Sequence, residues 1–182
     1  MTTKTDTFPA LTGLYHLIFL HIEPGAILLS VIAIWIWPGA SWFHHELVPA
    51  PTRTPIAELD TRTHMAMLQL SNCYFLLMLI SSVVFRAIRD TLPDNPVAQE
   101  RILGAGLTAL AIADLTHVFA TLWVLPSSLR YSVLEWNGTT HGNTTITLGL
   151  FLFRMAWFLG IGRKRYYYGQ PSKPVSPVYK QQ

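Results

Sequence analysis

The chain has 182 residues, 51% of them hydrophobic and only 13% charged, with a positive mean hydropathy. Soluble domains carry about 25% charge, so the composition excludes an ordinary soluble domain; a net charge of +3 offers no strongly basic surface for nucleic acid. A single cysteine, Cys73, rules out an internal disulfide and argues against a cysteine-based metal site.

Residues 1–10 form an N-terminal segment in which Lys4 is offset by Asp6, unlike the charged start of a signal peptide. From there to residue 162 the sequence reads as one domain. Four apolar stretches lie near the roughly 20 residues that cross a bilayer. They run from about 11 to 37, 65 to 85, 102 to 125 and 146 to 161. The predicted fold is therefore all-α, a four-helix transmembrane bundle. The first connection, "WPGASWFHHELVPAPTRTP", is rich in proline and carries Trp42 and Phe43, which suit a membrane interface. The second, "RDTLPDNPVAQER", is a short polar turn, and the third is "PSSLRYSVLEWNGTTHGN". Residues 163–182 read as a basic, disordered tail.

Charge asymmetry sets the orientation. Lys4, Arg86, Arg89, Arg101, Arg163, Lys164, Arg165, Lys173 and Lys180 fall on one side of a four-span chain, and Arg53, Arg62 and Arg130 on the other. The positive-inside rule then places both termini in the cytosol. Two sequons, at Asn137 and Asn143, fall in the third loop on the opposite side, which makes them weak glycosylation candidates. The expected location is the endoplasmic reticulum membrane.

Ionisable residues at bilayer depth cost about +2.5 to +3.5 kcal/mol on insertion scales, so they persist where they have partners or a function. The first stretch carries Tyr15, His16, His21 and Glu23, in "FLHIEPGAI". Glu23 lies roughly 20 Å into that stretch at about 1.5 Å per residue. Pro24 beside it removes a backbone donor and leaves the Leu20 carbonyl free to accept another bond. The second stretch carries Gln69, Asn72 and Tyr74, the third Asp114, Thr116 and His117, and the fourth Arg154 beside Trp157. Similar depth on all four helices predicts one interior pocket opening towards the lumenal leaflet.

Plainer readings stand beside this one. Arg154 with Asp114 can be a structural lock, and Gln69 with Asn72 can be interhelical glue. The histidines suit packing better than ligation, and no multi-histidine cluster suggests a metal site. Glu23 has the weakest structural explanation, because a mid-membrane carboxyl must be protonated or paired.

"LYHLIFLHIEPGAIL", "LQLSNCYFLL", "IADLTHVF" and "WNGTTHGN…FRMAWFLGIG" together resemble a family of small four-span fungal membrane proteins of unknown function, the DUF7704 type. The resemblance covers nearly all of residues 11–162. Its pattern falls on Glu23-Pro24, Gln69, Asn72, Asp114 with His117, Trp136-Asn137, Gly142-Asn143 and Arg154. His141 stands where the family usually has a second tryptophan, which is a departure in the third loop. The matches at Asn137 and Asn143 imply that their sequons are incidental. Members resemble proteins encoded beside secondary-metabolite genes, which implies epoxide opening or cyclisation of polyketide or terpenoid intermediates. The layout is also similar to emopamil-binding sterol isomerases and to membrane terpene cyclases.

The expected function is an acid–base enzyme that needs no cofactor or metal. Glu23, Asp114 and His117 would be catalytic. Gln69, Asn72, Tyr74, Trp136, Asn137, Asn143, Arg154 and Trp157 would bind a lipophilic intermediate. Membrane lipids and other pathway enzymes are the expected neighbours. The rival reading is a non-enzymatic scaffold or lipid-binding protein, with the tail "RKRYYYGQ" as a docking element.

Overall fold

A computed structural model describes residues 8–50 and 56–170 of the chain. Lys4, Arg53, Lys173 and Lys180, used above for orientation, lie outside the described residues. Those residues form helices and no strand. Four long helices dominate: α1 (Gly13–Trp35), α3 (Thr61–Thr91), α4 (Pro96–Val124) and α5 (138–159). A short helix, α2 (Ala40–Glu46), occupies the proline-rich first connection.

Side-chain caps carry the helices beyond their apolar centres. Asp60 accepts from the backbone N–H of Arg62 at 2.9 Å and of Thr63 at 3.3 Å, so α3 starts before the predicted residue 65. Asn95 accepts from Ala98 N–H at 3.0 Å, with Pro96 in the first turn of α4. Asn137 accepts from Thr140 N–H at 2.8 Å and starts α5 before the predicted residue 146. Gly160, at φ 75°, closes α5, and Ile161 N–H bonds back to the Ala156 carbonyl at 3.0 Å.

Helices α1, α3 and α4 are long and apolar enough to cross a membrane. α5 is of similar length to α1 but more polar, because Arg154, Asn143 and five threonines interrupt it. Three of the four long helices contain a π-type turn, at Ile18–Ile22, Ile80–Val84 and Gly142–Ile146.

α1 packs most extensively against α3, and α4 against α5. The core is divided between the two ends of the bundle. At the terminal end Leu11, Phe19, Phe85, Leu103, Leu107 and Trp157 are buried together. At the other end Ile34, Ala40, Phe43 and Met67 form a smaller cluster.

The segments flanking the bundle correct two expectations. Residues 163–170 do not form a loose tail. Arg163 donates to Glu100 at 2.8 Å, and both side chains are fully buried. The Glu100 carboxylate also accepts from the N–H groups of Tyr166 and Tyr167, and Tyr168 stacks edge-on to Trp157 and Phe158. Nor is the N-terminal segment separate from the bundle up to residue 10: Phe8 and Ala10 are buried, and the Ala10 carbonyl accepts from the Trp157 indole at 2.9 Å.

Candidate functional site

The site is built around a proline that breaks a helix ladder. Pro24 has no N–H to offer the Leu20 carbonyl. The π turn at Ile18–Ile22 takes up the extra residue, and Arg86 of α3 donates to Leu20 O at 3.1 Å. The same guanidinium donates to Ser82 O at 2.6 Å, within the π turn of α3. Arg86 thus clips two irregular turns together, and this sets the rotation of α1 at the next residue, Glu23.

Glu23 is buried and points at Arg154 of α5. The Arg154 guanidinium donates to Glu23 Oε1 at 2.5 Å and to Asp114 Oδ2 of α4 at 2.5 Å. It also lies 5.4 Å from the centre of the Phe19 ring. One cation therefore joins the α1–α3 pair to the α4–α5 pair. Two polar atoms of this triad, Glu23 Oε2 and Arg154 Nε, are buried without a hydrogen-bond partner. Buried polar atoms are nearly always paired, so the triad has unused bonding capacity.

That capacity adjoins a cavity of about 440 Å³ between the helix pairs. Glu23, Asp114 and Arg154 lie on its wall, with His117 one turn beyond Asp114. Apolar side chains from all five helices, such as Ile27, Phe43, Leu77, Leu110 and Ile146, make up most of the remaining lining. Tyr74, Asn143 and Thr139 supply polar groups. The site is thus a charged triad facing a largely apolar chamber of ligand size.

The structure brings together Glu23, Tyr74, Asp114, His117, Asn143 and Arg154. It separates the other predicted binding residues from them. Gln69 and Asn72 are exposed on the outer face of α3, because the face that packs on α1 is the one carrying Met67, Ser71 and Tyr74. Trp157 belongs to the terminal core, where its indole bonds Ala10 and the Arg163 guanidinium lies 3.9 Å from its ring centre. Trp136 donates to Leu129 O at 2.8 Å and closes the third loop on itself. Asn137 caps α5 and donates to the Glu46 carbonyl at 2.9 Å, pinning that loop to α2. With its amide nitrogen so engaged, and with Asn143 in the cavity wall, neither sequon presents a free acceptor.

Sequence reasoning missed three contributors. Arg86 counted only as a basic residue outside the bilayer, although the orphaned Leu20 carbonyl signalled that a donor was needed. Trp42 and Phe43 of α2 line the chamber, where an interfacial loop was expected. The Glu100–Arg163 pair was hidden in polar flanks read as turn and tail. Among the described residues no group of three or more His, Cys, Asp or Glu side chains could hold a metal ion.

Fold and site together describe a helical protein with three helices long and apolar enough to cross a membrane and a mainly apolar internal chamber that carries one charged triad. The family model for a domain of unknown function, DUF7704, matches residues 8–164, and the chain belongs to that family. A search of curated proteins finds no match, and a search of solved structures finds none.

Proposed function

We propose that the protein is an integral membrane enzyme that moves a proton onto a lipophilic intermediate held in the chamber. The observation that carries this reading is the Glu23–Arg154–Asp114 triad on the wall of a 440 Å³, mainly apolar cavity. In this reading α5 crosses the membrane with the other three long helices, since Arg154 is neutralised inside the bundle. The bias of basic residues supports cytosolic termini, and the endoplasmic reticulum is the membrane we propose.

Two carboxylates against one guanidinium leave one negative charge uncompensated. The triad is electrically neutral only when one carboxyl holds a proton, and a low-dielectric interior favours the neutral set. Asp114 is the better placed donor: its side chain is 12% exposed against 3% for Glu23. Glu23 then serves as the permanent partner of Arg154.

For an epoxide, the Asp114 proton passes to the oxygen as a carbon–oxygen bond breaks. An alkene electron pair or a water oxygen forms the new bond to that carbon. The proton this releases goes to His117 or back to the Asp114 carboxylate. No electrons enter or leave, so the step needs no redox partner. A polyketide or terpenoid intermediate suits the size and apolarity of the chamber, with cyclisation or hydrolysis as the outcome.

A second reading has its own support. Both carboxyls bond Arg154, which is also what a structural lock requires, and the chamber would then hold a lipid without changing it. Asp114→Asn and Glu23→Gln separate the two in membranes supplied with an epoxidised polyene. The enzyme reading expects Asp114→Asn to lose about 10²-fold or more in turnover while still binding the substrate. Full turnover by both variants would leave only the lock.

A further inference from the structure

The outer face of α3 is polar where it should be apolar. Gln69 and Asn72 lie about 6 and 11 Å along the axis from Met65, where the apolar stretch begins, at about 1.5 Å per residue. Both are exposed, and neither side chain has a hydrogen-bond partner among the described residues. α3 is also the least covered of the membrane-length helices: 17% of its apolar window is buried, against 33% for α1 and α4.

The exposed residues have a regular spacing. Met65, Gln69, Asn72 and Leu76 follow at steps of 4, 3 and 4 along one stripe. Met65 is 58% exposed and Leu76 57% exposed. This is the spacing of a coiled-coil seam, in which a buried amide fixes register and partner number. Lipid tails offer a carboxamide neither donor nor acceptor, so amides at this depth are satisfied across helices. A carboxamide is both donor and acceptor, and two copies of the same stripe satisfy each other about a two-fold axis.

We infer that α3 is the dimer interface, and that a second copy of this chain covers the Met65–Gln69–Asn72–Leu76 stripe. The proposal stands apart from the chemistry of the chamber, which opens between the other helix faces. Leucine is the informative replacement, because it suits lipid better than an amide and leaves the monomer fold intact. Cys73, the only cysteine, is exposed beside Asn72 and reports on the contact without engineering.

The test uses the purified full chain in lipid vesicles at low protein density, with dimer fraction read by single-molecule photobleaching. A flexible bismaleimide at Cys73 gives a second readout. The wild type is expected to be dimeric and to crosslink. Gln69→Leu with Asn72→Leu should weaken association about tenfold or more and reduce crosslinking in parallel. A monomeric wild type overturns the proposal, because a headgroup, water or another protein must then serve the amides. So does a dimer whose stability the leucines leave unchanged, because its interface lies elsewhere.

Discussion

Two buried arginines stand one end of the bundle apart, and their surroundings differ in kind. Arg163 faces one carboxylate, Glu100, whose other oxygen accepts two backbone N–H groups. Its Nε donates to Trp157 O at 2.8 Å, and its plane stacks on that indole. Each of its three nitrogens has an acceptor, and it does not line the chamber. Arg154 faces two carboxylates, keeps Nε unpaired, leaves Glu23 Oε2 unpaired, and borders the chamber. A satisfied ion pair fixes a structure, whereas a triad with a surplus acid and spare bonding capacity can exchange protons and receive a ligand. Charge count and open volume, rather than burial, distinguish the two.

The largest expected effect is at the closed site. Arg163→Met leaves the Glu100 carboxylate fully buried with only backbone donors, and should cost about 3–5 kcal/mol in stability. Denaturant-driven unfolding in micelles measures it. Arg154→Met should cost less, about 1–3 kcal/mol, although its charge is equally buried. Glu23 and Asp114 can each take up a proton, and the adjoining chamber can admit water to them. Titration with a fluorescent polyene should nevertheless show that Arg154→Met loses ligand binding while any folded Arg163→Met keeps it. Equal stability losses, or ligand binding lost in both, would remove the distinction drawn between the two arginines.

The site at Arg154 was legible in the sequence, and the site at Arg163 was not. Glu23, Asp114 and Arg154 stand out because charge in an apolar stretch is conspicuous, and their matching depth predicts that they meet. Pro24 announced its orphaned carbonyl in the same way. Glu100 and Arg163 lie in polar flanks, where one more charge carries no signal. Depth alone also misplaced Gln69, Asn72 and Trp157. A residue's height on a helix follows from counting, but its direction depends on packing and on the π turns, each of which shifts the helical phase that counting assumes. Gln69 and Asn72 share a face with each other as predicted, but that face is the outer one.

The smallest expected effect tests how firmly the closed end is held. Gly104 sits on α4 beneath the Tyr168 ring, and a β-carbon there would lie 2.2 Å from Tyr168 Cε2. Gly104→Ala must therefore push the ring aside. Only the far edge of a side chain has to move, so the cost falls at the low end for overpacking, about 1 kcal/mol. Helix propensity offsets part of it, since alanine is favoured over glycine inside a helix by about 1 kcal/mol. Net stability should therefore change little, while limited proteolysis after Arg165 should accelerate as Tyr168 loosens the segment behind Glu100. Ligand binding in the chamber should be unchanged, because Tyr168 packs on the terminal core and does not line the chamber. If freeing this segment also weakened the ligand, the two ends of the bundle would be coupled, and Arg163 would have to be counted among the residues that position the chamber.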